Sequence, residues 1–166
     1  LKHPLSVDTY IEKTLSKSKA IIIRLIGGVT YWEYGLNQVK AIAKKKNIVL
    51  AVLPADGRDD AKLSSFSNIP NSTLKILTNL CNTGGTIASQ AVLSQIAITA
   101  GLFSSIVIGK KSIPKFGYWS PKKGVYTKIS SSKKINKFSI LNVFYKSFIT
   151  SSDLNPMRVL TEELEK

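Results

Sequence analysis

The stretch from Ile21 to Leu53 constrains the fold more than any other part of the chain. An apolar, β-branched run, Ile21-Ile22-Ile23-Arg24-Leu25-Ile26, meets Gly27-Gly28 and passes directly into the aromatic-rich segment Val29 to Leu36. Such a run predicts a strand, the glycines a tight turn, and the segment after them a helix. That helix, expected from about Tyr31 to Lys46, places Trp32, Leu36, Val39 and Ala43 on one side and Glu33, Asn37, Lys40 and Lys44 on the other. Lys44-Lys45-Lys46 falls in its last turn, where cations complement the helix dipole, and Asn47 is placed to stop it. A second apolar run, Ile48 to Leu53, completes one βαβ unit of parallel strands. The first strand, expected over Ala20–Ile26, is apolar enough to be buried on both faces, with Arg24 at its end or paired.

The rest of the chain is placed around this unit. Val7, Ile11 and Leu15 recur at helical spacing ahead of it, with Ser6 or Asp8 as the expected cap. After it, Pro54-Ala55-Asp56-Gly57-Arg58-Asp59-Asp60 lies at the carboxyl end of the second strand, where parallel sheets place ligands. Its three carboxylates and one arginine could hold a metal or a ligand. The plainer reading is a turn with Asp59 or Asp60 capping the next short helix. Asn71-Ser72-Thr73 is expected to cap a helix carrying Leu74, Leu77, Leu80 and Cys81. Gly84-Gly85 breaks it, and a further helix is expected over Thr86–Ala100, followed by a short strand at Ser105–Ile108. Residues 87–108 carry no charge, yet Gln90, Gln95, Ser89, Ser94, Thr99 and Gly101 argue for a buried core helix and against a membrane span.

Composition matters at two points. The net charge is +14, with lysine supplying all of the basic residues except Arg24, Arg58 and Arg158. No Asp or Glu occurs between Ala61 and Ser152. That balance suits an anionic partner, but nucleic-acid readers lean on arginine, and compositional drift explains a lysine excess equally simply. From Lys110 to Lys137 lysines alternate with Pro114, Pro121, Phe116, Tyr118, Trp119 and Tyr126. Aromatics among lysines suggest a single-strand nucleic-acid platform, and a surface linker pinned by its aromatics is the reading preferred here. A strand at Ser139–Tyr145 and a helix opened by Asn155-Pro156, with Val159, Leu160 and Leu164 as its apolar side, suggest the start of a second α/β domain.

The fold class expected is therefore α/β: a partial Rossmann-like parallel-sheet domain over 1–109 with its N-terminal part missing, a basic linker over 110–137, and a truncated second α/β domain over 138–166. With Leu1 first and a helical pattern still running at Lys166, the chain is expected to be a segment of a longer protein. One cysteine, Cys81, excludes a disulfide framework and fits a reducing cytoplasm. The lone His3 reads as structural. There is no Walker-type phosphate loop, no zinc spacing, no nucleophile elbow, and Gly27-Gly28 lacks the rest of a dinucleotide fingerprint. The amides of the glycine turn could still cradle an anion at a helix N-terminus.

The wording of the sequence is more specific than its patterns. Leu1 to Tyr10, Arg24-Leu25-Ile26-Gly27-Gly28-Val29-Thr30-Tyr31-Trp32-Glu33-Tyr34-Gly35, Leu50 to Asp60, Gly84-Gly85, Pro114 to Pro121 and Val143-Phe144-Tyr145-Lys146-Ser147 occur in an order and at spacings that resemble the large subunit of aerobic cobaltochelatase, the CobN family. That family is related to the porphyrin-binding large subunit of magnesium chelatase. Three positions depart from its pattern: Ala55 for a usual Gly, Ala88 for an expected Asn, and Lys146 for an expected Arg. The resemblance implies an early piece of a much longer, cytoplasmic enzyme subunit of the ligase class, itself inactive as an isolated segment. Such an enzyme inserts cobalt into a corrin-type tetrapyrrole, hydrogenobyrinic acid a,c-diamide, in cobalamin biosynthesis. It implies as partners an AAA-type ATPase that uses the ATP and a further chelatase subunit. It implies no cofactor bound in this segment, no nucleic acid and no membrane. The ligand-binding candidates are Gly27, Gly28, Trp32, Tyr34, Asp56 and Asp59, with no catalytic residue and no metal ligand assigned. The alternative is a basic α/β binding module for nucleic acid or another anionic partner.

Overall fold

The computed structural model of the chain describes residues 3–105, 113–128 and 140–166. Helix α1 spans Pro4–Lys13 and tightens into a 3-10 turn at Leu15–Lys17. Strand β1 (Ala20–Leu25) follows, then a 3-10 turn at Val29–Tyr31, helix α2 (Glu33–Lys46) and strand β2 (Val49–Pro54). After β2 come α3 (Ala61–Ser64), α4 (Asn71–Thr83), α5 (Thr86–Thr99), the short strands β3 (Tyr118–Ser120) and β4 (Gly124–Tyr126), and helices α6 (Lys146–Thr150) and α7 (Asn155–Leu164). The protein is a mixed α/β fold built on a parallel pair of strands, as the sequence pattern requires.

β1 and β2 pair in parallel, with Ile21 opposite Leu50 and Ile23 opposite Val52. Because successive strand residues point to opposite faces, each strand feeds two cores. On one face Ile21, Leu50 and Val52 meet Val7 and Ile11 of α1 and Leu36, Val39 and Ala43 of α2. On the other, Ala51 and Leu53 meet Leu74 and Leu77 of α4 and Val92 and Ile96 of α5. Helices therefore cover both faces of the sheet, the arrangement that parallel strands need. The first strand was expected to be buried on both faces, but only Ile21 of β1 is buried; it is β2, where every residue after Val49 is buried, that has this character. Arg24 stands one residue before the end of β1 and is exposed.

Among the described residues, the outer edge of β2 is closed by side chains and not by a third strand. Asn68 Oδ1 accepts from the Leu50 amide at 2.7 Å, and its Nδ2 donates to the Ile48 carbonyl at 2.8 Å. The Asn68 amide itself donates to the Leu50 carbonyl at 3.0 Å. One step along, Ser67 Oγ accepts from the Val52 amide at 2.8 Å. Two side chains thus supply what a neighbouring strand would, and the edge is denied to other chains.

Helix boundaries follow local chemistry, with some corrections to the expected caps. α2 stops at Asn47, whose φ of 53° takes up the left-handed conformation. α1 starts ahead of Ser6 and Asp8, with His3 at the cap and Pro4 in the first turn, where its missing N–H costs nothing. Asn71, Ser72 and Thr73 form the first turn of α4, and Pro70 occupies the cap position with no side-chain bond. α7 begins at Asn155 with Pro156 in its first turn, as expected. Among the described residues, no helix is long and apolar enough to cross a membrane. The apolar α5 instead buries Ala88, Ala91, Val92, Ser94 and Ile96, and the Ser94 hydroxyl donates to the Ser105 carbonyl. The expected strand at Ser105–Ile108 lies outside the described residues except for Ser105, which is irregular.

Two later segments differ from the pattern reading. The aromatic part of the basic stretch forms an antiparallel hairpin, with Tyr118 opposite Tyr126 and Trp119 opposite Val125. The expected strand at 139–145 is not paired over its described part, residues 140–145. Exposure there still alternates as in a strand over 141–146, and Tyr145 has extended backbone angles, but no neighbouring strand among the described residues accepts its hydrogen bonds. The end of α6 packs on the double glycine: the Gly85 amide donates to the Thr150 carbonyl at 2.7 Å, and a Cβ on Gly84 would stand 2.6 Å from Thr150 Cβ.

Candidate functional site

The carboxyl ends of β1 and β2 open on a cleft of about 500 Å³. Leu25, Gly27 and Gly28 form one wall, and Pro54, Asp56 and Arg58 to Leu63 form the other. Both walls arise because each strand ends in residues that cannot continue it. Gly27 and Gly28 have φ of 91° and 71°, and the ψ of −167° at Gly28 puts it in a region open essentially to glycine alone. A Cβ on Gly28 would also come within 3.3 Å of Asp60 Oδ2. The glycine turn is therefore required by backbone geometry and by the close approach of the second wall.

The three carboxylates of that wall have different roles. Asp56 Oδ1 accepts from the Arg58 amide at 3.1 Å, and its Oδ2 accepts from Arg58 Nε at 3.0 Å and Nη2 at 2.7 Å. This fork of donors, together with the backbone amide, holds the Asp56 carboxyl below its ordinary range. Asp60 Oδ1 accepts from the Leu63 amide at 2.9 Å and caps α3, as the sequence leads one to expect. Asp59 makes no hydrogen bond or ion pair among the described residues, so of the three carboxylates on this wall it is the one with neither oxygen engaged. No group of three or more His, Cys, Asp or Glu among the described residues is arranged to hold a metal. An anion approaching the glycine amides would meet Asp60, whereas a hydroxyl or cationic group would find acceptors in Asp59 and Asp60.

Four of the six sequence candidates, Gly27, Gly28, Asp56 and Asp59, line this cleft, and Trp32 and Tyr34 do not. Trp32 sits at the cap position of α2 and not in its first turn, because the 3-10 turn at Val29–Tyr31 intervenes. Its indole lies over Gly35, where a Cβ would be 2.1 Å from Cε2, and packs half-buried against the first core. The Tyr34 hydroxyl donates to both oxygens of Asp8, each at 2.9 Å, and ties α2 to α1. That bond to a carboxylate raises the Tyr34 pKa above its ordinary value. Arg58 and Asp60, which the sequence offered as part of a possible ligand cluster but not among the six candidates, also line the cleft, and Lys62, which it did not offer, lines it too. Their position after a parallel strand was the available signal, and the capping role of Asp60 obscured it. Cys81 stands apart on α4, half-buried, and burial pushes its thiol up, away from the reactive thiolate.

No family model matches the chain, and no solved structure matches it. The chain is 28% identical to the aerobic cobaltochelatase subunit CobN of a Sinorhizobium species, over 99% of this chain and 14% of that protein. It is 39% identical to the protein of the same name from Pseudomonas aeruginosa, over 42% of this chain and 6% of that protein. The chain thus spans less than a sixth of the length of these relatives. The family resemblance carried by the sequence motifs stands: over nearly its whole length, this chain is similar to a stretch of the CobN subunit of aerobic cobaltochelatase.

Proposed function

We propose that the chain acts as a scaffolding part of the large, tetrapyrrole-binding subunit of an ATP-dependent cobaltochelatase. The observation that carries this reading is the similarity to CobN along 99% of the chain. The enzyme would insert cobalt, as substrate, into hydrogenobyrinic acid a,c-diamide in the cytoplasm. A separate AAA-type ATPase and a further subunit would drive the remodelling. Inserting a metal into a tetrapyrrole needs bases that take the pyrrole protons, and a pocket that holds the ring distorted. The sequence holds one histidine and one cysteine, on α1's cap and on α4, and its carboxylate cleft is partly used in an ion pair and a helix cap. These features support a structural role for the segment, with insertion chemistry elsewhere in the longer protein.

The test is cobalt insertion by the full-length protein with its partner subunits, beside a thermal melt. Asp56→Asn combined with Asp59→Asn is expected to leave ring binding and insertion within about twofold of wild type, since surface changes of this kind cost little stability. If that variant melts like wild type yet no longer binds the ring, the cleft belongs to the ligand site and the scaffold reading is wrong. The second reading, a basic module for anionic partners, has one observation in its favour: no carboxylate lies between Ala61 and Ser152. Binding to DNA that persists at physiological salt would favour it over the chelatase reading.

A further inference from the structure

We infer that residues 140–145 form a strand whose pairing partner is an extended, acidic-apolar segment from elsewhere in the same, longer polypeptide. The starting observation is a row of apolar side chains with no described residue over it. Leu141, Val143 and Tyr145 are 84%, 81% and 81% exposed, while Asn142 and Phe144 between them are half-buried. This alternation is that of a strand with one face packed and one face bare. The packed face is well anchored: Phe144 makes edge-on contacts with Trp119, at 5.9 Å between ring centres, and with Phe148, at 6.3 Å. Lys146 Nζ donates to the Ile113 carbonyl at 2.9 Å and holds the segment's end. The backbone of 140–144 makes no hydrogen bond among the described residues, although such groups are normally satisfied in a finished fold.

A contiguous apolar row with open backbone groups is the geometry that accepts an added strand. On the neighbouring α7, Val159, Leu160 and Leu164 are likewise exposed. Charge selects the occupant. The cleft of about 490 Å³ beside 140–144 is lined by Lys115 and Lys146 and by no carboxylate. A second copy of this chain would bring the same lysines to the same edge, so symmetric pairing is disfavoured. A segment alternating apolar residues with Asp or Glu would fill the row and meet the ammonium groups. The source follows from length: the similar CobN proteins are far longer than this chain, and an exposed row of apolar side chains is normally covered within a folded protein.

This inference rests on the reading that the chain is a stretch of such a longer subunit, and one experiment separates the two. Amide hydrogen exchange is followed across residues 140–145 in the full-length protein alone, and then with its partner subunits. The expected result is protection of these amides by about 100-fold or more in the full-length protein alone. A photo-crosslinking residue replacing Leu141 is expected to join a segment outside residues 1–166 of the same molecule, rich in Asp or Glu and apolar residues. Val143→Lys should lower the protection without abolishing expression, and the crosslink stands as evidence if that variant does not fold. Amides that exchange freely in the full-length protein, or a crosslink that reaches only a second copy or another protein, overturn the inference and leave the chelatase reading intact. A parent gene that encodes only these residues overturns both.

Discussion

Gly35→Ala should destabilise this protein even though alanine is the better helix former, and the reason lies in one contact. In the first turn of α2, replacing glycine by alanine ordinarily gains about 1 kcal/mol. Here the new methyl would stand 2.1, 2.3 and 2.5 Å from Cε2, Cζ2 and Cδ2 of Trp32. The obstacle is the edge of a rigid bicyclic ring, not the end of a flexible chain. The indole is half-buried against the first core, so it cannot move aside without leaving that packing. Overpacking of this kind costs roughly 1–3 kcal/mol, and the rigidity of the ring places it in the upper half. After the helix gain, the net loss is about 1–2 kcal/mol, or roughly 2–8 °C in the melting midpoint for a chain of this size. The decisive measurement is a double-mutant cycle by urea denaturation. Trp32→Ala alone should cost somewhat less than the roughly 3–5 kcal/mol of a fully buried indole. In that background Gly35→Ala should change sign and become stabilising by up to about 1 kcal/mol. If Gly35→Ala has the same effect with and without Trp32, the close contact does not govern this position and the reasoning fails.

Asn68→Ala should cost about 2–3 kcal/mol, because it strands the Leu50 amide and the Ile48 carbonyl at the β2 edge; a loss under about 0.5 kcal/mol in urea would show that water replaces the side chain freely. The Tyr34–Asp8 bond predicts a pH dependence at the alkaline end. Since the folded-state pKa of Tyr34 is raised, its contribution is full below the unfolded tyrosine pKa and is lost as pH rises through the higher folded value. Tyr34→Phe should remove that alkaline loss, as seen in melts taken across pH. Asp56 has the opposite sign: its lowered pKa gives a contribution present above the ordinary carboxylate range and lost as pH falls through the folded value. Carboxyl chemical shifts should move the Asp56 midpoint back up in Arg58→Ala, and an unchanged midpoint would refute the pairing.

The strand–helix–strand order, the stop at Asn47 and a cap at Asp59 or Asp60 were legible in the sequence, because each element is written in residues within a turn or a strand of one another. The family resemblance was legible for a different reason, since it rests on the order of short motifs along the chain and not on their folding. What the chain order could not convey were contacts between residues far apart in it. The carboxyl-edge cleft was foreseeable as a place, but tertiary packing decided that Gly28 faces Asp60 and that Tyr34 turns away to Asp8. Trp32 carried the signal of a helix-face residue, yet a 3-10 turn moved it to the cap and laid it over Gly35. The outer edge of β2 is closed by Ser67 and Asn68, polar loop residues whose composition only says turn. Residues 140–145 show the limit most clearly. Their apolar pattern specifies a strand's alternation, but a strand becomes part of a sheet only when another segment supplies the other half of its hydrogen bonds, and that is decided by tertiary structure alone.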